Sequence, residues 1–148
     1  MDLPGKHVEQ ITVFLENRSG RLADVAALLA EAGVNIRAAS LADAADFGIF
    51  RLIVNDTEKA RQVLKEHGFT VSKTHVLAVA VPDQPGGLAQ ILAAIRNSRL
   101  NVEYMYAFVH KRAVDATIIF RFDDIDQALA SLQSAGLRLL SGEEIYAS

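Results

Sequence analysis

The chain has 148 residues, 51% of them hydrophobic, which is enough for one ordinary domain or two small ones with packed cores. Its 15 Lys and Arg against 18 Asp and Glu, a formal net charge of -3, give no basic footprint for nucleic acid, and the lack of cysteine excludes disulfide and thiolate chemistry. The longest nearly unbroken apolar run, Val76 to Val81, falls far short of the roughly 20 residues that span a bilayer. The amino end has neither the basic start nor the apolar stretch of a secretory signal, so a cytoplasmic protein without membrane or nucleic-acid partners is expected.

Residues 8 to 16 alternate, with Ile11, Val13 and Leu15 on one face and Gln10, Thr12, Phe14 and Glu16 on the other, and predict a strand whose first face meets helices. Ser19 is the predicted N-cap of a helix in which Leu22, Val25, Ala26 and Leu29 recur at helical spacing, and Gly33 ends it. Val34-Asn35-Ile36 opens a second strand toward Leu41, Ala42 to Asp46 turn, and Phe47 to Val54 form a third strand. Asp56 caps a second helix carrying Ala60, Val63 and Leu64, Gly68 stops it, and Phe69 to Lys73 are a fourth strand. The order is βαββαβ.

The order then repeats. Gly20 and Gly86, Leu22 and Leu88, and Asn35 and Asn101 are each 66 residues apart. Asn55 and Asp123, Ala60 and Ala128, and Gly68 and Gly136 are each 68 apart, which places an insertion of two near His110-Lys111-Arg112. The repeated strands are Val76 to Val81, Val102 to Val109, Val114 to Phe122 and Leu137 to Ser141. The helices between them carry Leu88, Ile91, Leu92 and Ile95, then Ile125, Ala128, Leu129 and Leu132, and a tail follows from Gly142. The predicted fold class is α+β: two ferredoxin-like βαββαβ units, residues 7–73 and 74–148, with antiparallel sheets and helices on one face. Phe14, Val76, Ala78 and Ala80 leave the other sheet face partly apolar, and units of this size need a partner for such surfaces and for their edge strands.

The two strand-to-helix corners, Leu15 to Leu22 and Val81 to Leu88, aim unpaired helix N–H groups outward, where they can receive a carboxylate. Glu16 to Leu22 followed by Gly33-Val34-Asn35-Ile36, and Asp83-Gln84-Pro85-Gly86-Gly87-Leu88 followed by Leu100-Asn101-Val102, resemble the signatures of the ACT domain, twice over. The chain resembles stand-alone tandem ACT proteins. Its first half also resembles the regulatory subunit of acetolactate synthase and the regulatory end of phosphoglycerate dehydrogenase. The resemblance implies a non-catalytic regulatory protein, a homodimer, binding a small amino acid where the corner of one unit meets the second strand of another, with a metabolic enzyme as a possible partner. It implies that Asn17, Arg18, Ser19, Gly20, Arg21 and Leu22 of the first corner, and Asp83, Gln84, Pro85, Gly86, Gly87 and Leu88 of the second, hold the ligand together with Asn35, Ile36, Asn101 and Val102. Leu15 and Val81 stand where some members carry a His, a departure that bears on serine specificity. Asp83 against Asn17 further implies unequal sites.

Plainer readings stand beside these. Gly20 and Gly86 also suit a sharp turn without a ligand, and Asn35 and Asn101 suit turns after helices. Tyr104, Tyr106 and Phe108 read as packing, and Asp123, Asp124 and Asp126 as a capped helix start rather than a cation site. His7, His67, His75 and His110 show no metal-binding spacing, no catalytic fingerprint occurs, and neither cofactor nor metal is expected. A competing function is that of a regulatory or assembly subunit without its own ligand; a third is a small enzyme of unrecognised mechanism.

Overall fold

The computed structural model describes residues 6–16, 18–43, 46–109 and 115–147. They form β1 (Val8–Glu16), α1 (Arg21–Glu31), β2 (Ile36–Asp43), β3 (Phe47–Val54), α2 (Thr57–Glu66), β4 (Thr70–Pro82), α3 (Gly87–Ile95), β5 (Val102–Val109), β6 (Asp115–Phe122), α4 (Ile125–Ser134), β7 (Arg138–Leu140) and α5 (Gly142–Ala147). Two compact units result. One comprises Glu9–Thr74 with the chain from Glu143 onward; the other comprises His75–Gly142 with the chain through Val8. Both are ferredoxin-like α+β units. No helix among the described residues is long and apolar enough to cross a membrane.

In the unit containing Glu9–Thr74 the strands run in the order β2-β3-β1-β4, with β3 antiparallel to both β1 and β2. Alternation buries Ile11, Val13 and Leu15 of β1 and Phe50, Leu52 and Val54 of β3 against Val25 and Leu29 of α1 and Ala60 and Leu64 of α2. In the unit containing His75–Gly142, β6 lies antiparallel between β5 and β4, and β7 also pairs with β4. Its core takes Leu77, Val79 and Val81, Ile118, Phe120 and Phe122, Ile91 and Ile95, and Ala128 and Leu132. These are the first core's positions displaced by 66 residues on β4 and α3 and by 68 on β6 and α4. The duplication is therefore one of packing as well as of motif.

Two local expectations need correction, and two features lie beyond the expectations. Gly20, not Ser19, occupies the N-cap of α1, and no side chain caps that helix. The predicted strands 69–73 and 76–81 are a single strand, Thr70–Pro82, because no glycine or proline interrupts the run. The tail from Gly142 is helical, as α5. On the partly apolar second sheet face, Gln10 is fully buried, with Nε2 donating to Thr74 Oγ1 at 3.2 Å, Val76, Ala78 and Ala80 of β4 are buried, and Phe14 is exposed. The place of the two-residue insertion, His110 to Arg112, lies outside the described residues, as does Val114.

Asp56 and Asp124 cap α2 and α4 as their positions predict, accepting from Lys59 N at 3.2 Å and Gln127 N at 3.1 Å. Removing either cap by Asp→Ala should cost about 1 kcal/mol, seen as a fall of about 2–4 °C in Tm. At α5, Glu9 N donates to Tyr146 Oη at 2.6 Å. Burial, against the opposing effect of that hydrogen bond, raises the Tyr146 pKa above its ordinary value. The folded chain thus holds the phenolic proton more tightly than the unfolded chain. The resulting stability is fully present below the unfolded tyrosine value of about 10 and is lost as pH rises through the higher folded value. Tyr146→Phe should lose about 1 kcal/mol at neutral pH, and in urea titrations its stability should fall less steeply with alkaline pH than that of the parent.

Candidate functional site

Both corners are built by the same backbone device. At the end of β1, Arg18 N donates to Glu16 O at 2.8 Å; at the end of β4, Gln84 N donates to Pro82 O at 2.8 Å. The chain then passes through a left-handed glycine, Gly20 or Gly86, each at φ 92°, and enters α1 or α3. Gly20 O accepts from Asp24 N at 2.9 Å and Gly86 O from Gln90 N at 3.0 Å, the first intrahelical bonds. A Cβ on either glycine would meet nothing within 4 Å, so the dihedral angle, not crowding, calls for glycine there. In the second corner Gln84 N and Gly87 N are both used inside the turn, the latter donating to Gln84 O at 3.2 Å. These two N–H groups are therefore not the outward donors that the sequence led us to expect.

Side chains make the corners unlike. Arg21, whose side chain is only 18% exposed, sets its guanidinium 4.2 Å from the centroid of the Phe69 ring and contacts Asp24 at 3.4 Å and Glu16 at 3.8 Å. Its Nε is buried without a hydrogen-bond partner among the described residues. Arg18 lies 3.5 Å from Glu16, but both are solvent-exposed, so that pair contributes little beyond placement. At the position 66 residues on from Arg21 stands Gly87, where a Cβ would lie 2.9 Å from Pro82 O. No side chain fits there without displacing the end of β4.

Beside the first corner is a concavity of about 330 Å³. The corner supplies Leu15, Glu16, Arg18, Arg21 and Leu22; the ends of β2 and β3 in the same unit supply Leu41, Ala42, Asp43, Phe47 and Gly48. A second concavity, of about 260 Å³, shares Leu15, Glu16, Arg21 and Phe47 and extends to Phe14, Asp46 and the α2–β4 turn at Gly68, Phe69 and Thr70. The hairpin residues escaped the sequence reading. The signal available for them was the pair of large apolar residues, Leu41 and Phe47, at the strand ends flanking a turn; both are exposed.

Of the residues expected to bind, Arg18, Arg21 and Leu22 come together at the larger concavity, while Ser19, Gly20, Asn35 and Ile36 line neither concavity. Asn17 lies outside the described residues. Asn35 is exposed and held by its backbone: Asn35 N donates to Asn55 Oδ1 at 2.8 Å, and Asn55 N to Asn35 O at 3.1 Å. Asn101 repeats this with Asp123, at 2.9 and 3.3 Å. These reciprocal bonds start β2 and β5 and give both asparagines a structural duty. Asp83, Gln84, Pro85 and Gly86 are exposed, Gly87 is buried, and Leu88 and Val102 pack partly against the second core.

Asp126 contacts His7 at 3.0 Å, and His67 Nδ1 lies 2.9 Å from Val63 O. His110 lies outside the described residues. No grouping of three His, Asp or Glu suited to a metal occurs among the described residues. Tyr104 and Tyr106 are half-buried, as packing residues would be.

Fold and corners together define a protein of two ferredoxin-like modules with repeated strand–glycine–helix turns. The ACT domain pair family matches residues 6–146, and the chain belongs to that family. Its structure is similar to the crystal structure of a protein from Bacteroides thetaiotaomicron, with 35% identity, 97% of this chain and 98% of the other covered, and a TM-score of 0.90. It also resembles the ligand-free regulatory subunit of aspartate kinase from Thermus thermophilus (18% identity, 90% and 95% covered, TM-score 0.61). A third similar structure is the regulatory subunit of aspartate kinase from Thermus flavus (17% identity, 88% and 93% covered, TM-score 0.59). The two Thermus likenesses show a common fold. None of the curated proteins compared with the chain matches it.

The unequal corners respond differently to substitution. Gly20→Ala and Gly86→Ala should each lose about 1–2 kcal/mol through the left-handed backbone alone. Gly87→Ala should lose about 1–3 kcal/mol through overpacking against Pro82 O. Urea denaturation measures all three, and a Gly87→Ala protein as stable as its parent would contradict the crowding seen at that corner.

Proposed function

We propose that the protein is a non-catalytic regulatory protein that binds an amino acid at its first ACT corner and acts, as a homodimer in the cytoplasm, on a separate metabolic enzyme. The observation that carries this reading is the concavity beside the first corner. There Arg18 and Arg21, next to the start of α1, face a site that also presents Glu16 and Asp43. A zwitterion needs both signs of charge within a few ångströms: cationic donors and a helix N-terminus for its carboxylate, and an acid for its ammonium. The larger concavity is also at the lower end of the ~300–1,000 Å³ typical of small-molecule sites. The Thermus proteins of this fold are named as subunits of an enzyme, which is the relation proposed here between this chain and its target.

The assembly-subunit reading is favoured by a different observation. Phe14, Leu22, Leu41 and Phe47 are exposed and border the two concavities of the first unit, as an interface for another protein would require. On that reading no amino acid would be bound and a partner enzyme would cover these side chains.

Ligand binding distinguishes the two. A site made only in the folded state stabilises by about 2.7 kcal/mol at a free ligand concentration 100 times Kd. That corresponds to a rise in Tm of about 5–10 °C for a chain of this size. Protein unfolded and refolded to strip retained ligand should show such a rise with at least one of the twenty amino acids in a thermal-shift screen. No rise with any of them would favour the assembly-subunit reading.

A further inference from the structure

Resting on the amino-acid-binding reading above, we propose that the first corner selects an α-amino acid with a large apolar side chain, and that the selecting wall is the β2–β3 hairpin of its own unit.

Three features of the concavity support this. First, Arg21 is pre-positioned. Its guanidinium lies over Phe69 and is flanked by Glu16 and Asp24 at 3.8 and 3.4 Å, longer than the ~2.7–2.9 Å of a tight charge-assisted bond. The planar fork is thus oriented by its neighbours without being saturated by them, and a ligand carboxylate can take its donors. Second, Asp43 stands among the lining residues contributed by β2, where it can receive the ammonium. Third, the remaining large side chains of the wall are Leu22, Leu41 and Phe47, at 41%, 54% and 39% exposure. Exposed large apolar residues are unremarkable when scattered, but here three line one concavity. The Phe47 ring extends the apolar surface to Phe14, 5.8 Å away and tilted by 54°.

Glycine or serine would leave these three side chains in water, and an aspartate or lysine side chain lying against them would lose hydration. A leucine or phenylalanine side chain would cover them. Discrimination of roughly 10-fold or more is the ordinary yield of an apolar pocket that gains or loses even one methylene. The second corner cannot offer the same site, because Gly87 stands where Arg21 stands in the first.

Isothermal titration calorimetry on the refolded full chain, using leucine, phenylalanine, glycine, serine, aspartate and lysine, tests the proposal. Leucine or phenylalanine is expected to bind about 10-fold or more tightly than the other four. Arg21→Gln should weaken that binding by a similar factor. Phe47→Ser, a change at an exposed position whose retained fold is checked by circular dichroism, should abolish the preference for a large side chain. A small or charged amino acid as the tightest ligand would overturn this proposal while leaving the amino-acid-binding reading in place. Binding of leucine or phenylalanine that survives both Arg21→Gln and Phe47→Ser would place the site elsewhere and overturn the proposal. Binding of none of the six would also overturn it, and the twenty-amino-acid screen then decides the broader reading separately.

Discussion

Everything at the candidate site depends on the chain's passage through a left-handed glycine between strand and helix. At φ 92° the backbone of Gly20 reverses direction within a few residues, so that the start of α1 stands directly beside the last residues of β1. An L side chain resists that conformation, and no side chain caps the helix that follows. The helix start therefore depends on backbone geometry and on what the flanking side chains supply. The same turn with the same dihedral recurs at Gly86, so the duplicated corner is first a solution to a folding problem: how to dock an amphipathic helix onto the strand that precedes it.

Function, on this account, was added to one copy of that solution. The cores remain matched position for position, from Ile11 and Leu77 to Leu64 and Leu132, since each buries the same sheet face under the same two helices. The corners have diverged at their rim. Arg21 brings a cation stacked on an aromatic ring to the first; Gly87 closes the second against the carbonyl of Pro82. The exposed Leu41 and Phe47 complete a mixed apolar and charged concavity at the first corner. Core positions tolerate little change because neighbouring volumes are fixed, whereas rim positions on a turn can vary without disturbing the packing beneath.

Much of the fold was legible in the sequence. The bounds of β1 and β3 and the caps Asp56 and Asp124 follow from period-two alternation and from acceptors set before apolar-periodic segments. Other features carry no such local mark. Six residues are too few for α5 to display a helical period, and Ser19, a good capping residue, is displaced from that role by the glycine beside it. Asn35 and Asn101 were visible as a repeat, but their partners, Asn55 and Asp123, lie at the far end of the neighbouring strand. The sequence points to an inequality of the corners at Asn17, which lies outside the described residues, and Asp83; a further one at Arg21 and Gly87 was not legible, because the room for a side chain depends on the position of Pro82 O, which no local pattern encodes. The hairpin wall of the site is a tertiary feature, joined to the corner through the pairing of β1 with β3 that sets Leu15 opposite Gly48 and Glu16 opposite Phe47.

The central claim, that the first corner and its own hairpin form the ligand site, is most directly tested by a ¹H–¹⁵N correlation titration of the full chain with the amino acid that binds most tightly. The account predicts the largest amide shift changes at Gly20, Arg21 and Leu22 and across the hairpin at Asp43, Phe47 and Gly48, with Gly86, Gly87 and Leu88 nearly unmoved. Changes concentrated at Gly86 to Leu88, with the first corner silent, would contradict it.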